Sequence, residues 1–451
     1  MSAPVLVVEH ATDRPGLDCL VAAAIAGALE RAGGGVRFIR LRGERVGFEE
    51  PGASEHVAVY GALLLNAFLW PERALGTPVA RESDEVLGQS GSPSSPEVIA
   101  FNPRAFPGAG ESELRETVGC RAGRALWVRV DRAGTALVPS LIDESGVRPF
   151  GRWARDAYGR LAPIRADQLH PELLARFGRS IRPDPDARPG ATRPEAEASD
   201  EPIRLALVGE SDHHSNVYPA VMAALGDAAS SLGWAPGIEF MSSHALAPGD
   251  WPRALSGAHG LVLPGGTDMS QAAGQIDAAA AALDQGIPTL GCCLGMQTMT
   301  TAVARRRGGL PGADLEETSP RARTFSFSRL PSPDGALVHR VGERVIRVRD
   351  GTRTHALYGR ERAKERLNHR YRLNPAILPA LEAAGLVVSA VADDESEGGI
   401  VEAIEVPSHP FFVGLQGHPE LSSSTGAPHP AFVGFLRAAA AAARPRRERN
   451  G

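Results

Sequence analysis

At 451 residues the chain exceeds what one ordinary hydrophobic core supports, so two domains are expected. Hydrophobic residues make up 43% and charged residues 22%, the balance of a globular protein, and a net charge of −5 argues against a nucleic-acid-binding surface as the main role. There is no apolar run long enough to span a bilayer, and the opening MSAPVLVVEH lacks a basic start and cleavage site, so a cytoplasmic protein is expected.

In chain order, Pro4–Val8 reads as a strand, Leu17–Arg31 as a helix and Val36–Leu41 as a second strand. Glu82–Pro96 is polar and Ser/Pro-rich, the composition of a surface loop, and Val98–Phe101 and Ala125–Val130 read as further strands. Residues 1–181 are therefore expected to form a smaller α/β domain. Residues 182–202 contain five prolines, mixed charges and no large apolar side chain; such a segment cannot bury enough surface to offset its ordering entropy and reads as a linker.

Past the linker, Ile203–Val208, Gly260–Leu263 and Pro288–Leu290 read as short buried strands. They alternate with helical stretches at Tyr218–Leu232, Gln271–Leu283 and Thr298–Arg305. That alternation predicts a mostly parallel sheet flanked by helices over 203–442, with any chemistry at the carboxyl ends of the strands. Residues 443–451 read as a frayed tail.

The four cysteines, Cys19, Cys120, Cys292 and Cys293, form no CxxC pair and are expected to be free thiols. Cys293 stands out. It lies between Gly291 and Gly295, directly after a strand and before a helix. Small residues on both sides permit a sharp turn that exposes a nucleophile, and the free N–H groups of the helix lower a thiol pKa and stabilise an oxyanion. In Gln416-Gly417-His418-Pro419-Glu420, His418 supplies a base, and in an extended segment Glu420 projects on the same side to orient it. Pro264-Gly265-Gly266 follows another strand, where bare backbone can donate N–H groups to a tetrahedral intermediate. A cysteine between glycines is often structural, a lone His-x-Glu is usually a surface pair, and Pro-Gly-Gly is usually a turn. The weight lies in finding all three in this order.

These motifs resemble the glutaminase domain of the CTP synthase family, a class I glutamine amidotransferase. The resemblance extends to Glu365–Tyr371, His409–Gly414 and His429–Phe432, and covers about half the chain. It implies Cys293 as nucleophile with His418 and Glu420 completing a triad. It further implies oxyanion N–H groups from Gly266 and Leu294, and a glutamine head group held by Gln297, Glu317 and Arg370. Ammonia release through a γ-glutamyl thioester follows, with no cofactor and no metal. Two residues depart from the family: Cys292 replaces an aliphatic residue, and Gly417 replaces an aromatic one, which opens the substrate pocket.

The family's ATP-dependent synthetase domain carries a phosphate loop with a lysine. Here the loop His10–Asp18 has one glycine, and the chain's single lysine is Lys364. The first domain is thus at most an eroded P-loop-like fold. Three readings follow: an amidotransferase whose ammonia feeds the N-terminal domain or a partner enzyme; a stand-alone amidohydrolase acting on glutamine or a γ-glutamyl compound; and a non-catalytic glutamine-binding scaffold, against which the intact triad counts. Neither nucleic acid nor membrane is expected as a partner, and an oligomer is compatible with the sequence. His213-His214 reads as a solvated loop pair, and Arg305–Arg307 as a solvated helix end.

Overall fold

A computed structural model describes residues 3–33, 35–42, 69–76, 84–86, 95–106, 112–113, 116, 125–177, 203–266, 269–330, 338–394 and 399–444. The expected linker at 182–202, Cys120 and the tail from 445 onward lie outside the described residues. Two compact units are present, Met1–Thr192 with Asp212–Ala223, and Arg193–Ser211 with Ala224–Gly451. Among the described residues no helix is long and apolar enough to cross a membrane.

The first unit is built on an eight-stranded sheet. Strands Asp84–Val86, Arg37–Arg42, Glu97–Phe101, Val5–Glu9 and Leu126–Ala133 run parallel in that order, and Ala136–Asp143 and Gly146–Pro149 continue the sheet antiparallel. Val5–Glu9 and Glu97–Phe101 are buried along their whole length, as expected of strands covered on both faces. The helix expected over Leu17–Arg31 begins at Leu20, after a 3₁₀ turn at Pro15–Leu17. Asp84–Val86, expected within a loop, is a strand at the edge.

In the loop joining Val5–Glu9 to that helix, Gly16 has a packing purpose. A Cβ there would meet Pro219 Cδ at 2.6 Å and the Asn216 carbonyl oxygen at 2.8 Å. The glycine admits the segment His213–Val217, which the same unit includes.

The second unit holds a nine-stranded sheet in the order Gly237–Met241, Arg204–Val208, Gly260–Leu263, Thr289–Cys292, Phe412–Leu415, Val401–Glu405, Val387–Ala392, Arg340–Val348, Arg362–His369. The first five strands are mutually parallel, and the remaining four are added antiparallel. Helices flank the sheet. Those at Ala272–Gln285 and Leu294–Arg306 pack with the parallel strands through Val208, Leu261, Leu263, Ile276, Met296, Met299, Val303 and Phe412. A three-stranded sheet of Ala313–Leu315, Thr324–Arg329 and Tyr371–Leu373 lies in the same unit.

Helix Leu294–Arg306 is buried from Leu294 through Ala304, on every face. Its polar side chains are satisfied inside: Thr300 Oγ1 donates to Met296 O at 2.8 Å, and Thr301 Oγ1 to Gln297 O at 2.8 Å. All-round burial removes the amphipathic stripe, so the expected helix began four residues late at Thr298.

The start of this helix is clamped to the sheet. A Cβ on Gly295 would sit 2.0 Å from the Leu263 carbonyl oxygen, and one on Gly291 would sit 2.4 Å from Met299 Sδ. Neither can be relieved by a rotamer change alone, because Gly295 meets the Leu263 backbone and Gly291 also meets the Gly295 backbone, at 2.6 Å. Gly295→Ala is expected to destabilise the second unit by about 2–3 kcal/mol through overpacking, read as a lowered thermal unfolding midpoint. An unchanged midpoint would show that the helix start is free to shift.

Candidate active site

Thr289–Cys292 pairs in parallel with Gly260–Leu263 on one side and Phe412–Leu415 on the other. Their carboxyl ends therefore place Pro264–Gly266, Cys293 and Gln416–Glu420 together. Cys293 has φ 49° and ψ −104°, and it alone among the described non-glycine residues has positive φ. Such a conformation costs about 1–3 kcal/mol and persists only where the surroundings enforce it. Enforcement comes from both neighbours: the Cys293 N–H donates to Leu415 O at 2.8 Å, and Gly295 is pressed on Leu263. Cys293 Sγ lies 3.6 Å from Gln416 Nε2 and 3.9 Å from the Asn368 carbonyl oxygen, at the N-terminus of helix Leu294–Arg306.

His418 and Glu420 are joined, Nδ1 to Oε1, at 2.7 Å, with Glu420 buried. The carboxylate fixes the Nδ1–H tautomer and leaves Nε2 for the thiol. Burial opposes the imidazolium, but Glu420 and then Cys293 outweigh it and hold the His418 pKa well above its ordinary value. The segment is not extended as the sequence implied. His418 precedes a 3₁₀ turn, Pro419–Ser422, and the turn brings Glu420 back to the ring. The bare backbone of Gly265 fits beside both groups, since a Cβ there would be 3.1 Å from His418 Cε1 and 3.6 Å from Cys293 Cβ.

The other expected site residues are distributed around this centre. Gly266 abuts Leu294, the first residue of the helix; a Cβ on Gly266 would meet Leu294 Cδ2 at 2.3 Å. Gln297 is buried one turn into the helix, where its N–H donates to Cys293 O at 3.2 Å. Burial raises the Glu317 carboxyl pKa, with Arg370 and Arg329 pulling it down, so Glu317 and Arg370 share one electrostatic environment.

Gly417 does not open the pocket. It is buried, and a Cβ there would lie 3.1 Å from Glu365 Cβ and 3.2 Å from Glu365 Oε2. The space is occupied from the neighbouring strand. Cys292 is fully buried, and burial, then Glu420, Cys293 and Glu365, push its thiol pKa well up, so it stays protonated.

Other expectations change. His213 and His214 are buried and stacked, with ring centroids 5.2 Å apart, because they fall in a π-turn packed into the first unit. Arg305–Arg307 is not simply solvated: Arg305 pairs with Asp314 at 3.2 Å, Arg306 pairs with Asp284, and Arg307 donates to Leu283 O. Sequence reasoning missed the Asn368 carbonyl beside Cys293. A backbone oxygen carries no residue-type signal, and only the sheet order brings it there.

Residues 239–438 match the family model described as glutamine amidotransferase class-I. The C-terminal half carries a class I glutamine amidotransferase domain. CTP synthase from Thermus thermophilus is 36% identical over 247 residues, covering 53% of this chain and 44% of that enzyme. CTP synthase from Thermobifida fusca is 36% identical over 249 residues, covering 52% of this chain and 45% of that enzyme. Among solved structures, the glutaminase domain of Trypanosoma brucei CTPS with bound acivicin is 28% identical, with a TM-score of 0.49, over 53% of this chain and 94% of that one. The chain spans about half the length of the curated relatives it matches. The family model and the curated relatives fall on the C-terminal half, in agreement with the resemblance read from Gly291–Gln297 and Gln416–Glu420.

The raised His418 pKa has a definite sign. Its stabilising contribution is fully present below the unfolded histidine value of about 6.5 and is lost as pH rises through the folded value. In Cys293→Ala the contribution of the Cys293 side chain disappears, so the His418 imidazole should titrate at lower pH in a ring-proton NMR titration. An unmoved titration would separate His418 from Cys293.

Proposed function

We propose that the second unit hydrolyses glutamine to glutamate and ammonia through a cysteinyl thioester. The observation that carries this reading is the strained Cys293 at a helix N-terminus, beside an imidazole oriented by a buried carboxylate. Cys293 gives its proton to His418 Nε2 and attacks the γ-carboxamide carbon. The oxyanion that forms accepts from the Gly266 and Leu294 N–H groups. The intermediate collapses as His418 returns the proton to the departing nitrogen, releasing ammonia and leaving a γ-glutamyl thioester on Sγ. Water then attacks with His418 as base, and glutamate leaves as the thiol reforms. Glu420 holds the imidazole and stabilises its charged form in both halves. Gln297, Glu317 and Arg370 hold the glutamine head group.

We infer that the ammonia serves an acceptor in the first unit or in a partner enzyme. The loop His10–Asp18 has one glycine, which is taken up by packing against Asn216 and Pro219, and no lysine is available to it. Those facts weigh against a lysine-bearing phosphate cradle of the P-loop kind in the first unit. The closed space at Gly417 favours glutamine over a bulkier γ-glutamyl compound.

The full chain should release glutamate from glutamine in a coupled assay. Cys293→Ala should lower turnover by about a millionfold, and Glu420→Gln by roughly ten-thousandfold. Turnover undiminished in Cys293→Ala would refute the nucleophile; a rise in wild-type turnover on adding a candidate acceptor would identify where the ammonia goes.

A further inference from the structure

The strand Arg362–His369 ends the nine-stranded sheet, and among the described residues no further strand pairs with its outer edge. Carbonyls two residues apart on a strand face the same edge. Two of them, Arg366 O and Asn368 O, serve the active site: the His418 N–H donates to Arg366 O at 2.7 Å, and Asn368 O lies 3.9 Å from Cys293 Sγ. The strand thus touches base and nucleophile through its backbone alone. Its placement sets their separation.

The side chain that places it is Glu365, which is 2% exposed. Its Oε1 accepts from the Tyr358 hydroxyl and from His429 Nε2, the latter at 3.0 Å. Tyr358 ends the helix Arg353–Tyr358, and His429 caps the helix Pro430–Ala443, so two helices hold one carboxylate. The Oε2 atom has no hydrogen-bond partner and lies against the bare backbone of Gly417, the residue before His418.

We propose that Glu365 is a positioning residue for the amidotransferase reaction: held by Tyr358 and His429, it seats the edge strand against Gly417 and so sets the reach of His418 toward Cys293. Glycine at 417 and the buried glutamate form a matched pair, since a side chain at 417 displaces the carboxylate. The proposal rests on Cys293 and His418 acting as nucleophile and base.

Tyr358→Phe removes one of the two donors to Glu365 without removing the carboxylate. In the full chain it should lower kcat for glutamine about tenfold, as a sub-ångström displacement of a reacting group does. KM should stay within about twofold, because the head-group contacts are untouched. The His418 imidazole, titrated by NMR, should move to lower pH as it separates from Cys293. Glu365→Gln should act in the same direction. Unchanged kcat and titration in both variants, with only a lowered melting midpoint, would overturn the proposal. A titration moved by Glu365→Gln but not by Tyr358→Phe would overturn it also, in favour of a purely electrostatic role. If the wild type fails to hydrolyse glutamine, the functional reading falls on its own, and the titration in Tyr358→Phe alone decides the positioning role.

Discussion

Helix Leu294–Arg306 approaches the strand Gly260–Leu263 so closely that Gly295 leaves no room for a single methyl group above the Leu263 carbonyl. That approach has to be made within one residue of the end of strand Thr289–Cys292, and the chain can do so only by forcing Cys293 to positive φ. A β-carbon in that region of conformational space is unfavourable, and the cost is borne by the burial of eleven consecutive helical residues. The turn sets Cys293 at the helix N-terminus. Cys292, one residue earlier and still in the strand, is fully buried and stays protonated.

The same parallel strands bring the partners. Register between Thr289–Cys292 and Phe412–Leu415 places Gln416 beside Cys293, and the 3₁₀ turn that follows folds Glu420 onto His418. The buried Glu420 outweighs the desolvation that would otherwise keep the imidazole neutral. Cys293 and the Glu420-oriented imidazole thereby stand at the ends of adjacent parallel strands. A scaffold of this kind needs rigid supports behind it, and the edge strand supplies them through its carbonyls.

In the first unit the same fold principle yields a different outcome. Its parallel strands end at the loop His10–Asp18, yet the loop's one glycine admits Asn216 and Pro219 rather than a phosphate. The buried, stacked His213 and His214 belong to that arrangement. An α/β outline alone therefore says little about chemistry; the side chains at the strand ends decide it.

Periodicity located seven of the ten parallel strands of the two large sheets, because fully buried strands are short apolar runs bounded by turn residues, and it missed Asp84–Val86, Gly237–Met241 and Phe412–Leu415. Motif order marked Cys293, His418 and Glu420, since glycines flanking a cysteine and a closely spaced His-x-Glu reflect local steric and electrostatic needs written in adjacent residues. The antiparallel extension from Val401–Glu405 to Arg362–His369 was not legible, and with it the roles of Asn368 and Glu365. Those depend on strands joined across tens of residues, and a backbone carbonyl has no identity in a sequence. Likewise Gly417 looked like an opening when read in isolation, and only the sheet order shows Glu365 filling the space. The residue types gathered at the second unit's centre were legible in the sequence, because each motif is a short local run; the space around them was settled only by the tertiary structure, because long-range pairing sets which side chains occupy each gap.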